Sequence, residues 1–331
     1  METREVIVVG GGPAGSSCAW RLRQRGIDVL ILDKATFPRT KLCAGWITPQ
    51  VLSDLQIDEQ EYPHRFLTFK KIKVHVAGLL FEIATIQLSI RRYEFDEWLI
   101  ERSGADVAVH KVQKIEKDSD GYILDDIYRC RYLVGAAGTS CPVYRLLFRQ
   151  RNPRVRELQV ATLEQEFAYD YRDDACHLWF FRHGLPGYSW YVPKANGYLN
   201  AGVGGMSVQL KSRQKDIHGH WDTFTGDLAQ SGLIKGYAFK PKGYSYYLRE
   251  GVQTSRIGNA VIVGDAAGLA SRDLCEGIGP AVRSAILAAD AIARGEDPSL
   301  ESVSAFSLRN PLLHKSLEYM FVMRGRKWAR R

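Results

Sequence analysis

The chain has 331 residues, 45% hydrophobic and 25% charged, with a formal net charge of +8. That balance is that of a globular protein of one large or two smaller domains, and it excludes a disordered or fibrous chain. No run of about 18 apolar residues is present to form a membrane-spanning helix, and Met1-Glu2-Thr3-Arg4 enters an apolar strand without a signal-peptide pattern, so the expected location is the cytoplasm.

In chain order, Glu5–Val9 is a short apolar strand, Gly10 to Gly15 a glycine turn, and Ser16 to Arg25 a helix that Gly26 ends. Asp28–Leu32 is the next strand, which completes a βαβ unit. A loop rich in Pro, Thr, Lys and Gly runs from Lys34 to Pro49. Leu67–Val76 and Leu79–Leu88 predict strands around Gly78, and Tyr93 to Glu101 a helix. Val107–Val112, Lys114–Asp118 and Tyr122–Leu124 predict a small antiparallel meander, followed by the strand Tyr132–Val134. From about Arg156 to Leu248 the texture changes: segments such as His177-Leu178-Trp179-Phe180-Phe181 and Tyr188-Ser189-Trp190-Tyr191-Val192 are dense in aromatics and alternate, as in an antiparallel sheet. Val261–Val263 is a buried strand, and Gly277 to Ala293 a strong helix with Ile278, Ala281, Val282, Ala285, Ile286, Ala289 and Ile292 on one face.

The turn Gly10-Gly11-Gly12-Pro13-Ala14-Gly15 fits G-x-G-x-x-G where that spacing carries meaning, after a strand and opening a helix. Gly10 permits the turn, Gly12 lets a pyrophosphate approach, and Gly15 lets the helix pack on the sheet. The helix N-terminus, with Pro13 and Ala14, offers free N–H groups to phosphates. Asp33, ending the second strand, stands where a carboxylate accepts hydrogen bonds from a ribose, and Lys34 beside it is a further candidate contact. A dinucleotide is therefore expected.

Two later strand-then-glycine segments bear on which one: Arg131 to Gly138, ending in Ala136-Ala137-Gly138, and Val261 to Gly268, containing Gly264-Asp265-Ala266-Ala267-Gly268. The second resembles the Gly-Asp motif of FAD-dependent oxidoreductases of the aromatic-hydroxylase class. That likeness implies FAD, with Asp265 on its ribityl chain and the helix opened by Gly277 and Ile278 aimed at the flavin pyrimidine.

With Lys41-Leu42-Cys43-Ala44-Gly45, Arg92-Tyr93-Glu94-Phe95-Asp96, Gly187 to Lys194 and Glu276-Gly277-Ile278 added, the chain resembles the geranylgeranyl reductase family of that class over roughly Val6 to Gly295. The resemblance implies an α/β fold: a Rossmann-type FAD-binding domain (1–66, 91–154 and 252–300), an inserted antiparallel-sheet (α+β) substrate domain (67–90 and 155–251), and a basic helical tail (301–331). It implies reduction of carbon–carbon double bonds of an isoprenoid or lipid-like substrate by hydride from reduced flavin, with NAD(P)H or a reduced carrier protein as electron donor. It makes Arg92 an FAD contact and places Cys43, Tyr188 and Trp190 at the substrate. Two departures stand out: Ala137, where the family usually has an acid, and Arg272-Asp273-Leu274-Cys275, where Pro and Gly are usual. The chain is also short after the flavin helix, where relatives carry a helical domain.

Other readings of single residues stay open. A cation beside Cys43, such as Lys41, would lower its pKa, and Cys43 and Cys275 are a conceivable redox pair; otherwise the six cysteines (Cys18, Cys43, Cys130, Cys141, Cys176, Cys275) show no zinc or disulfide spacing. His218 and His220 lack a third ligand and read as solvent-facing, so no metal is expected. Most of the aromatics are expected to be sheet packing, with the remainder lining a slot. The stretch from His314, with Lys315, Arg324, Arg326, Lys327, Arg330 and Arg331 among Leu317, Tyr319, Phe321 and Trp328, reads as a packed helix with a basic end or as a membrane-surface segment. Nothing else supports nucleic-acid binding. A flavin monooxygenase or halogenase acting on an aromatic substrate is the alternative activity, with Tyr188-x-Trp190-x-Val192-Pro193 a partial match to the halogenase Trp-x-Trp-x-Ile-Pro, and a sensor or electron carrier is a third reading.

Overall fold

The apolar run at the start of the chain forms the middle strand of a parallel sheet. Glu2–Val9 pairs in parallel with Val29–Asp33 on one side and Tyr128–Gly135 on the other. Asp106–Val109 and Ala260–Ile262 extend the sheet outward, also in parallel. The computed structural model that shows this describes residues 1–211, 215–252, 254–308 and 311–319. Strands covered on both faces read as continuous apolar runs, and Val6, Ile7, Val8, Leu30, Ile31 and Leu32 are all buried. Val6, Val8, Val29 and Ile31 pack under the helices Pro13–Gln24 and Ile278–Arg294, while Ile7, Val9, Leu30 and Leu32 face Val143, Tyr144 and Phe148. Arg21 and Arg25 of the first helix pair with Asp290 of the long one at 2.8 and 3.0 Å. This is a Rossmann-type unit, built from Met1–Arg39, Tyr93–Val155 and Tyr247–His314.

The second unit takes Thr40–Arg92, Arg156–Tyr246 and the described residues from Lys315 onward. Its eight-stranded sheet runs in the order Lys242–Tyr247, Gln159–Ala168, Tyr198–Met206, Gly187–Lys194, Cys176–Phe180, Leu67–Val76, Leu79–Ser89, Trp46–Ile47. From Gln159–Ala168 onward the pairs are antiparallel except for Cys176–Phe180 beside Leu67–Val76, which is parallel. Side chains alternate between the faces with a period of two. One face sends Leu163, Phe167, Trp179, Tyr191, Leu199, Ala201 and Val203 against Trp221, Phe224 and Leu228 of the helix Ile217–Gln230.

Four expectations change. Residues 40–66 group with the second unit, because Trp46–Ile47 adds to the edge of that sheet by pairing with Leu79–Ser89. Asp106–Val109 is no part of a meander: the helix Arg92–Arg102 leads into it and it lies parallel to Val29–Asp33, while the antiparallel run is Ile115–Lys117, Tyr122–Leu124 and Tyr128–Gly135. Residues 301–308 are not a separate tail, since Val303 joins the first unit's core and Ser307 donates to Asp273. His220 is buried on its helix rather than solvent-facing. The helix Pro311–Glu318 carries Lys315 and Leu317, whereas Phe321, Arg324, Arg326, Lys327, Trp328, Arg330 and Arg331 lie outside the described residues. No helix among the described residues is long and apolar enough to cross a membrane.

Candidate functional site

In the first unit, the glycine turn is shaped by close backbone approaches. A Cβ on Gly10, whose φ is +108°, would stand 2.5 Å from the Ala137 Cα, and one on Gly15 would stand 1.7 Å from the Gly10 carbonyl oxygen. The turn therefore lies against the middle motif, Ala136-Ala137-Gly138, and no larger residue fits at either place. Gly12 caps the helix Pro13–Gln24 with no side-chain hydrogen bond, Pro13 occupies its first turn, and that turn holds no acid. Its N–H groups and partial positive charge are thus left for an anion. Asp33 is buried; its Oδ2 accepts from the Gly11 N–H at 2.8 Å and its Oδ1 from the Ala35 N–H at 3.0 Å. A carboxylate has about four lone-pair sites, so two backbone bonds fix its aim and leave capacity for a ribose. Lys34 is exposed. Arg39 points into the same corner, 3.8 Å from Asp33 and 3.6 Å from buried Asp96.

The Gly-Asp segment meets the long helix Ile278–Arg294 in the same unit. The Gly264 N–H donates to Ser284 Oγ at 3.0 Å, and a Cβ on Gly277 would stand 3.3 Å from Asp265 Oδ1, so Asp265 and the helix N-terminus adjoin. Glu276 is buried and accepts from the Gly279 N–H at 2.5 Å. Burial raises its carboxyl to about 7 despite that bond. One N–H of this helix end is therefore already taken by the protein. Arg154 ties the two glycine segments together, donating to the carbonyl of Thr139 at 2.6 Å and to those of Asp265 and Ala266 at 3.2 Å each. Asp273, fully buried, accepts from the Leu274, Ser307 and Leu308 N–H groups, so the departure before Glu276 anchors residues 305–308. The residues fit an FAD: a glycine cradle with an open helix end for the pyrophosphate, Asp33 for the ribose, and Asp265 beside a second helix end for the ribityl and pyrimidine portions.

In the second unit, the sheet face turned away from Trp221 and Phe224 carries polar groups among aromatics. Trp190 and Glu164 are both cross-strand partners of Gly202. A Cβ there would lie 2.1 Å from the Trp190 ring, so the indole rests on bare backbone. The Trp190 N–H donates to Asn200 Oδ1 at 2.7 Å, and the Asn200 amide donates to the Cys43 carbonyl at 3.2 Å. Lys194, fully buried, donates to the carbonyls of Ala44 and Gly45, the latter at 2.6 Å. Its ammonium is pulled down to about 8 by burial. Glu164 is 2% exposed and pushed up to about 7 by burial, against the pull of Lys41, Asn200 and Lys194. The Cys43 thiol is raised by burial, which outweighs the opposing charge of buried Arg92. The expectation of a lowered thiol pKa is thus corrected: Lys41 instead stacks 3.0 Å over the Tyr244 ring. Cys43 and Cys275 are both free cysteines.

The FAD dependent oxidoreductase family matches residues 5–115. Menaquinone reductase of Mycobacterium tuberculosis is 27% identical over 323 residues, covering 87% of this chain and 76% of the relative. Geranylgeranyl diphosphate reductase of Rhodobacter capsulatus is 26% identical over 296 residues, 83% of this chain and 71% of the relative. This chain is an FAD-dependent oxidoreductase. Its fold matches a geranylgeranyl bacteriochlorophyll reductase-like protein of Thermoplasma acidophilum at a TM-score of 0.78 and 20% identity, covering 100% of this chain and 87% of that one. The flavin-dependent brominase Bmp2 follows at 0.72 and 18%, covering 99% and 84%. The fold is thus common to reductases and halogenases.

Among the aromatics of this flavoprotein, Trp179 and Tyr191 belong to the core under the helix Ile217–Gln230. Phe180, Tyr188 and Trp190 share the other face, with Phe180–Tyr188 and Tyr188–Trp190 centroids 5.1 and 5.8 Å apart. Sequence reasoning missed Arg39, Arg154, Glu164 and Asn200. Glu164 and Glu166 alternate with Leu163 and Phe167 in the sequence, and it is the pairing of Glu164 with Gly202 across the sheet that shows it to be enclosed.

Proposed function

We propose that this flavoprotein reduces carbon–carbon double bonds of a polyprenyl or similarly lipid-like substrate. The observation that carries the reading is the sheet face of Phe180, Tyr188 and Trp190, apolar and aromatic, with one buried acid, Glu164, beside it. The substrates in the names of the two relatives, menaquinone and geranylgeranyl diphosphate, both bear polyprenyl chains. Against the halogenase reading, the first Trp of the Trp-x-Trp segment is replaced by Tyr188.

FAD, once bound and reduced, supplies the hydride. The chain's own residues do the rest. Gly10, Gly12, Pro13, Ala14 and Gly15 hold the pyrophosphate, with Gly138 behind the turn; Asp33 orients the ribose, with Lys34 at the rim. Asp265, held at its carbonyl by Arg154, takes the ribityl chain, and Gly277 and Ile278 present a helix end that favours negative charge. Arg92 supplies a cation near Cys43. Tyr188 and Trp190 orient an apolar chain and exclude water. The donor that reduces the flavin is NAD(P)H or a reduced carrier protein.

The test is anaerobic. The protein is loaded with FAD, reduced with dithionite or NADPH, and mixed with a polyprenyl lipid while the visible spectrum is followed. Reoxidation by the lipid with formation of a saturated bond supports the reading; reoxidation by oxygen alone overturns it in favour of a monooxygenase.

A further inference from the structure

Reducing a double bond adds one hydride and one proton, and the proton needs its own source. Glu164 and Trp190 flank Gly202 from neighbouring strands. A Cβ on Gly202 would stand 2.1 Å from the indole and 2.8 Å from the Glu164 Cβ, so only bare backbone separates the acid from the aromatic wall. Glu164 is 2% exposed, and its Oε2 has no hydrogen-bond partner. A carboxylate there would leave Oε2 buried without a donor, whereas a carboxylic acid there holds a proton that no protein acceptor claims. We propose that Glu164 is the acid that donates the proton in double-bond reduction, an assignment that rests on the substrate reading above.

In that step the Oε2–H bond breaks and the alkene π pair forms the new C–H bond. The hydride, from a dihydroflavin reductant, fills the carbon left electron-poor. Glu164 is left as a carboxylate and regains its proton from water. Its surroundings suit both states. The Asn200 amide and the ammonium groups of Lys41 and Lys194 stabilise the carboxylate, while burial and the charge of Glu166 favour the acid. Glu166 is itself paired with Arg91 at 2.9 Å. The Cys43 thiol, raised by burial, also feels the charge of Glu164. Lys194 is a positioning residue here: it holds the Ala44 and Gly45 carbonyls and supplies charge.

Two measurements on the full chain test this. Difference infrared spectra of wild type and E164Q report the carboxyl directly: a protonated-carboxyl band at about pH 6 that titrates near neutrality and is missing in E164Q is expected. No such band overturns the proposal. In the second, reduced enzyme is mixed anaerobically with the polyprenyl lipid. E164Q should slow flavin reoxidation by about 10²–10⁴-fold while dithionite reduction is unchanged, and E164D, which keeps an acid, should recover part of the rate. Reoxidation of E164Q at the wild-type rate overturns the role of Glu164 alone. A wild-type enzyme that the lipid never reoxidises overturns the substrate reading, and this role with it.

Discussion

The indole N–H of Trp190 donates to the side-chain oxygen of Asn200 at 2.7 Å. Asn200 passes the connection on to the Cys43 carbonyl at 3.2 Å, so one amide joins the aromatic wall to the cysteine loop. Replacing Asn200 with Leu removes both bonds and leaves a buried indole N–H without its acceptor. Each buried group so orphaned costs about 1–3 kcal/mol. Urea unfolding should therefore show a loss of about 2–4 kcal/mol for Asn200→Leu, and Cys43 should be alkylated faster as its loop loosens. Wild-type values in both assays would show that the connection holds nothing in place.

Gly202→Ala tests the contact beneath the indole. The added methyl meets Trp190 Cζ2 at 2.1 Å and Cε2 at 2.3 Å, and both are ring atoms that must move. Overpacking of this kind costs about 1–3 kcal/mol. The near-UV circular dichroism of the folded variant should change, because the ring shifts relative to Tyr188. Gly226, on an exposed helix position with nothing within 4 Å of a built Cβ, supplies the control: Gly226→Ala should leave the spectrum unaltered.

For the cofactor turn, Gly15→Ala is the most selective probe, since its methyl would meet the Gly10 carbonyl oxygen at 1.7 Å. The turn must open to admit it, and FAD loading, read from the visible absorbance of the purified protein, should fall at least tenfold. Asp33→Asn should weaken FAD less, because the amide oxygen still accepts from the Gly11 N–H. A Gly15→Ala protein that loads FAD like the wild type would remove the turn from the binding site.

Much of the first unit was legible because its signals are local. A glycine turn between an apolar strand and a helix, and an acid at the next strand's end, are set by neighbours in the chain, and Asp33 does reach Gly11. The second sheet was legible as strands but not as faces. Whether Trp179 or Trp190 looks away from the core depends on register with partners many residues distant, which alternation alone leaves undecided. The same holds for Glu164: its burial depends on two strands paired across Gly202. Arg154 was invisible because its targets are backbone carbonyls, which leave no trace in residue identity.

Glu276 makes the pH dependence of stability testable. Its carboxyl is held at about 7 in the folded protein by burial, against an ordinary value of 4.5. Between these values the folded state binds more protons than the unfolded one. The contribution is then fully present below about pH 4.5 and is lost as pH rises through 7, on the order of 3 kcal/mol in all. Glu276→Gln carries no such proton, yet its side-chain oxygen still accepts from the Gly279 N–H and keeps the helix end capped. The difference in urea stability between variant and wild type should therefore shift in the variant's favour from about pH 4.5 to about pH 7 and stay flat above it. Comparing the two proteins cancels Glu164, which titrates over the same window in both. A difference that does not change with pH would mean that Glu276 is ionised throughout, leaving a negative charge at the start of the helix Ile278–Arg294 where the flavin reading needs a positive end free.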